Sequence, residues 1–84
     1  MDPVYAKLHL LWMIEEIGEC VSIIKKQGDS KIINNQTTRR HFIEEMSDVL
    51  MYFTDVLNRY NISTTEFSKI YKDKITINKK RHYK

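Results

Sequence analysis

Apolar residues recur at intervals of three and four along most of this chain, with few interruptions. Proline occurs only at position 3 and glycine only at 18 and 28, so long helices are the expected elements. Asp2 and Pro3 read as an N-cap and a first helical position, where the missing proline N–H costs nothing. The first helix is predicted over 3–27, with Gly28 just past its end and Lys25 and Lys26 facing the negative end of its dipole. At 100° per residue, Tyr5, Trp12, Met13, Ile17, Cys20, Val21, Ile23 and Ile24 cover more than half of its circumference. Residues 28–36 have turn chemistry and no apolar period, which predicts a connection. Thr37 or Thr38 then caps a second helix that runs to Tyr60 or Asn61. Ser63 and Glu66 have the spacing of a capping box and open a short third helix with Phe67, Ile70 and Tyr71 on one face. Beyond Lys74 the pattern predicts only a frayed tail, or one that orders on binding.

The predicted fold is therefore all-α: an antiparallel helical hairpin plus a short third helix. A first helix so widely apolar needs more cover than one hairpin partner supplies, which predicts a helical bundle built by homo-oligomerisation into a dimer or tetramer. Length sharpens this expectation. The 84 residues fit one domain, 1–84, and a core this small is marginal alone. The single cysteine, Cys20, excludes an intramolecular disulfide and a cysteine-rich zinc site, and a lone thiol suits a reducing cytoplasm. The longest apolar run, 10–14, is far below the roughly 20 residues that span a bilayer, and no charged-then-apolar leader is visible, so a soluble protein is expected.

The formal charge of +3 conceals opposite halves: residues 1–68 sum to −3 and residues 69–84 to +6. A basic tail serves as a nucleic-acid arm, a phosphate-binding flap or a solubilising end. The acids are more informative. Glu15-Glu16-Ile17-Gly18-Glu19 lies on the first helix and Glu44-Glu45-Met46-Ser47-Asp48 on the second. The i, i+3 spacing puts Glu16 with Glu19, and Glu45 with Asp48, on shared faces. Glu16 falls among Trp12, Cys20 and Ile23, and Glu45 among Val49, Tyr52 and Val56. Ionised carboxylates of like sign inside apolar arcs require a cation between the helices. An all-oxygen set with no Cys or His at ligand spacing suits Mg²⁺, with Mn²⁺ as a substitute, rather than zinc. The competing reading pairs these acids at the surface with Lys25, Lys26, Arg39 or Arg40.

The segments MIEEIGECVSIIKKQGD and HFIEEMSDVLMYFTDVLNRYNIS resemble the MazG-like, all-α nucleoside triphosphate pyrophosphohydrolases, whose signature is EExxE on one helix and ExxD on the next. The resemblance spans residues 8–81. It includes Gly18 before the third Glu, the run Val49, Leu50, Tyr52, Phe53 after the Asp, and a late Lys74, Asn78, Lys79, Lys80, Arg81. It implies Mg²⁺-dependent cleavage of (deoxy)nucleoside triphosphates to monophosphate and pyrophosphate by dimers or tetramers, in nucleotide-pool housecleaning, with the metal on Glu16, Glu19, Glu45 and Asp48. Such hydrolysis needs an activated water and neutralised phosphates. Glu15 is the candidate to orient or deprotonate that water. Lys74, Asn78, Lys79 and Arg81 are the candidates to fold over the β and γ phosphates. Trp12, one turn before Glu16, is the candidate to stack on the base, or else a core residue. His41 reads as a hydrogen-bonding residue near a helix start, Cys20 as a small buried hydrophobe, and Asp55 with Arg59 as a helix surface pair.

Three other functions compete. Phosphoribosyl-ATP pyrophosphohydrolase shares the acidic pattern, but its alanine-rich run is here Cys20-Val21-Ser22-Ile23-Ile24, and no His follows Asp48 in 49–52. A helical nucleic-acid-binding module would use the basic tail, yet the acidic body repels a phosphate backbone. A degenerate family member that only oligomerises is disfavoured by four intact ligand positions.

Overall fold

The computed structural model describes residues 3–82, and the side chains of those up to Lys80. All of its regular structure is helical. A 3₁₀ turn at Pro3–Tyr5 leads into α1 (Ala6–Gln27), followed by α2 (Asp29–Asn34), α3 (Gln36–Arg59) and α4 (Thr64–His82). The expected cap Asp2 lies outside the described residues. None of these helices is long and apolar enough to cross a membrane.

Gly28 separates α1 from α2 by a single residue. Its N–H donates to the Ile24 carbonyl (2.9 Å), and its own carbonyl accepts from Ile32 N–H (3.3 Å), so it closes one helix and opens the next. Its φ of +86° with ψ of 157° is a conformation open essentially to glycine alone. The expected structureless connection over 28–36 is thus corrected to a one-turn-plus helix that packs back on α3. The cap of α3 is also corrected, from Thr37 or Thr38 to Asn35. The Asn35 side chain accepts from Thr38 N–H at 3.0 Å, satisfying a donor at the helix start.

The end of α3 follows from Asn61, which adopts φ +58°. Ile62 N–H donates to Leu57 carbonyl (2.9 Å) and Asn61 N–H to Asn58 carbonyl (3.0 Å), the paired bonds of a Schellman terminus. Ser63 Oγ then accepts from Glu66 N–H at 3.1 Å, as the capping-box spacing predicts. The frayed tail is corrected: α4 continues unbroken through residues 75–82.

The packed unit is α1 against α3. Contacts run in opposite order along the two helices: Glu16 meets Glu45, Trp12 meets Tyr52, His9 meets Asp55, and Tyr5 meets Arg59. Among the described residues only Ala6, Cys20 and Ile23 are buried. Leu10, Ile14, Ile17 and Val21 of α1 lie exposed, as do Ile43, Met46 and Leu50 of α3. The radius of gyration, 16.2 Å, exceeds the roughly 12 Å of a compact chain of this length. The accessible surface, 7108 Å², exceeds the roughly 5,300 Å² of a folded monomer of this mass.

Candidate functional site

The site is built where the two acidic motifs meet. Glu16 projects from α1 between Trp12 and Cys20, each four residues away, while Glu45 and Asp48 occupy neighbouring turns of α3. One carboxylate oxygen from each of Glu16, Glu45 and Asp48 lies within 4.8 Å of the other two. All three residues are half-buried. Among the described residues, the ion pairs are His9–Asp55, Arg40–Glu44 and Arg59–Asp55, so no basic side chain neutralises the three carboxylates. Lys25, Lys26 and Arg39 do not pair with them.

This crowding is visible in protonation. Glu16 holds its proton above the ordinary carboxylate range, first because burial strips solvent from the charged form. Its neutral carboxyl also donates a hydrogen bond to Glu45, and the charges of Asp48, Glu45 and Glu19 oppose its ionisation. The donor set is oxygen throughout and fits a hard divalent ion such as Mg²⁺ or Mn²⁺. Cys20 packs behind it, and burial pushes its thiol up, reinforced by Glu45, Glu16 and Asp48. It therefore stays a neutral, buried thiol rather than a thiolate ligand.

Glu19 is exposed and outside this trio; it acts on Glu16 through its charge. Glu15 is exposed, 100° round α1 from Glu16. Lys74, Asn78 and Lys79 are exposed on α4, which lies along neither α1 nor α3. The side chain of Arg81 lies outside the described residues. His41 is exposed.

Trp12 does more than fill the helix interface. Its ring lies 5.0 Å from His9 and 6.1 Å from Tyr52, and His9 lies 5.8 Å from Tyr52, edge-on. Trp12 is one turn from Glu16 and Tyr52 one turn from Asp48, so this aromatic wall adjoins the carboxylates at a rise of about 6 Å. Sequence reasoning passed over His9. The signal for it was present, because positions 9, 12 and 16 share a face of α1. His9 Nδ1 meets the Asp55 carboxylate, which also accepts from Arg59 Nε at 3.0 Å. The Arg59 guanidinium in turn lies over the Tyr5 ring at 5.4 Å. Asp55 and Arg59 thus form the expected i, i+4 pair, but a half-buried one that also orients a histidine at the site. No protein-family model, no curated protein and no solved structure matches the chain.

Proposed function

We propose that this protein is a Mg²⁺-dependent nucleoside triphosphate pyrophosphohydrolase of the MazG-like kind, acting as a homo-oligomer of antiparallel helical hairpins in nucleotide-pool housecleaning. The observation that carries the reading is the convergence of Glu16, Glu45 and Asp48 without a basic counter-charge among the described residues. A divalent ion held there, Mg²⁺ or Mn²⁺, supplies charge neutralisation for the triphosphate and lowers the pKa of a bound water.

The chain's own groups account for the remaining requirements. Glu16, Glu45 and Asp48 hold the ion, with Glu19 adding negative charge beside them. Glu15 faces solvent next to the ligand set, which suits a base that accepts the proton of the attacking water. Trp12, with His9 and Tyr52 behind it, offers a π-face for the base. Lys74, Asn78, Lys79 and Arg81 supply donors for the phosphates distal to the cleaved α–β bond. Exposed apolar side chains on both α1 and α3 support assembly, because a monomer leaves them in water.

The test is a panel of ribo- and deoxynucleoside triphosphates incubated with the protein and Mg²⁺, with pyrophosphate and orthophosphate measured separately. Magnesium-dependent pyrophosphate release, reduced at least about a hundredfold in Glu45→Gln with helicity retained, is the expected result. Wild-type turnover in Glu45→Gln, or release of orthophosphate alone, overturns it.

A further inference from the structure

A polar chain that the carboxylate site does not use runs from Tyr5 to His9. The Nδ1 atom of His9 is cut off from solvent and meets only the Asp55 carboxylate. The same Asp55 oxygen accepts from Arg59 Nε at 3.0 Å, and the Arg59 guanidinium lies over the Tyr5 ring. The chain thus ties the first turn and α1 to the last turn of α3. Arg59 already gives Asp55 its counter-charge one helical turn away, so the ion pair itself has no need of a histidine. His9 also lies outside both acidic motifs, and its presence at the end of this chain calls for a role of its own.

The contact decides which nitrogen of the ring carries the proton. An ionised carboxylate only accepts hydrogen bonds, so Nδ1 is the protonated atom. Because Arg59 supplies the cation, Asp55 needs an N–H from His9 and not a second positive charge. In the neutral ring Nε2 then keeps its lone pair and is an acceptor. Among the described residues nothing hydrogen-bonds Nε2. With Nδ1 shut in, the 15% of the side chain that stays exposed lies toward the Nε2 edge. The ring stands edge-on to Tyr52, and its centroid is 5.0 Å from that of Trp12. Trp12 is 39% exposed, so its indole is open to a flat group from solvent. His9 lies two turns, about 10 Å of rise, from Glu16 on the same face of α1, with Trp12 between them.

We infer that His9 reads the nucleobase: Asp55, held by Arg59, fixes the proton on Nδ1, and Nε2 accepts a hydrogen bond from an N–H on the edge of a base stacked on Trp12. The order along α1 is that of a nucleotide, with carboxylates for the phosphate end, an indole for the base and a lone pair for its edge. The complementary ligand is a base that presents an N–H there. A base whose edge nitrogens are fully methylated offers Nε2 no donor. Asp55 is a positioning residue that acts through His9. The nucleobase as occupant rests on the pyrophosphohydrolase reading, whereas the fixed tautomer does not.

Two measurements on the full chain separate these claims. Nitrogen-15 correlation spectra of the histidine rings, in chelator and mildly alkaline buffer, read the tautomer with no substrate present, and His9→Phe identifies the His9 signals. A protonated Nδ1 and a bare Nε2 are expected in the wild type, with that preference lost in Asp55→Ala. A protonated Nε2 in the wild type, or an unchanged preference in Asp55→Ala, overturns the inference. The second measurement compares each nucleoside triphosphate that the protein cleaves with the analogue whose base N–H groups are methylated, such as N6,N6-dimethyl-ATP or N3-methyl-UTP. The wild-type kcat/KM should fall about tenfold for the methylated member. His9→Phe keeps a ring at the interface and leaves Asp55 paired with Arg59, so it meets the same methyl groups and should lose that discrimination. Equal turnover of both members by the wild type, or full discrimination in His9→Phe, overturns base reading. Where the wild type cleaves no triphosphate, the same spectra decide. A displaced Nε2 resonance with ATP or UTP, absent with their methylated analogues, refutes the pyrophosphohydrolase reading and leaves base reading standing, while no displacement with any of them overturns both.

Discussion

Truncating Leu50 to alanine tests whether the exposed α1–α3 face is an interface. Leu50 is 60% exposed in the single chain and lines an apolar groove with Ile43 and Met46 of α3 and Met13 of α1. Full burial of a leucine side chain is worth about 1.5–3 kcal/mol, so covering the exposed share of this one contributes roughly 1–2 kcal/mol. A two-fold symmetric interface contains the residue twice, which doubles the effect to about 2–4 kcal/mol per dimer. That corresponds to a dimer weakened roughly 30- to 1,000-fold. Alanine is the best helix former, so α3 itself loses nothing by the change. Sedimentation equilibrium across a concentration series reads the dissociation constant, and circular dichroism checks the helix. An unchanged dissociation constant with intact helicity refutes the reasoning, as does a wild type that is monomeric yet fully helical at micromolar concentration.

Two further substitutions test other parts of the structure. Glu16→Gln should raise the melting temperature of metal-free protein at neutral pH. The folded Glu16 binds its proton more tightly than the unfolded one, so stability falls as pH rises above 4.5 through the folded value, and the penalty is absent below 4.5. The gain over wild type should therefore vanish in acid and reverse in saturating Mg²⁺; equal melting at every pH contradicts it. Gly28→Ala should cost about 1–3 kcal/mol in denaturant unfolding, from backbone strain alone, since an added Cβ there meets nothing within 4 Å.

Much of the fold was legible because it depends on local chemistry. The apolar period and Gly28 fixed the end of α1, and Ser63 with Glu66 marked the start of α4. The pairing of the two acidic motifs was legible too, since i, i+3 spacing inside apolar arcs leaves few alternatives. What was illegible depends on contacts distant in sequence. Six residues of α2 have no period to read, and they hold a helix because Gly28 redirects the chain and Ile32 packs back toward α3. Asn35 outcompeted two threonines for the cap, a choice set by its extended backbone at the α2–α3 corner. The continuation of α4 is hidden by its Lys-rich, Ile-Thr-Ile composition, which reads weakly in any period. His9 was missed because its partner Asp55 is 46 positions away and is joined to it only by the packing of α1 on α3.

The central claim is that Glu16, Glu45 and Asp48 together hold a divalent cation, and Mn²⁺ titration followed by electron paramagnetic resonance tests it most directly. Bound Mn²⁺ loses its sharp free-ion signal, so binding is counted without any substrate or turnover. The wild type should bind one ion or more per chain, displaceable by Mg²⁺, with affinity lowered at least about tenfold in Glu45→Gln and in Asp48→Asn. Binding that is absent in the wild type, or unchanged in both variants, contradicts the account and leaves the three carboxylates as an acidic cluster that holds no ion.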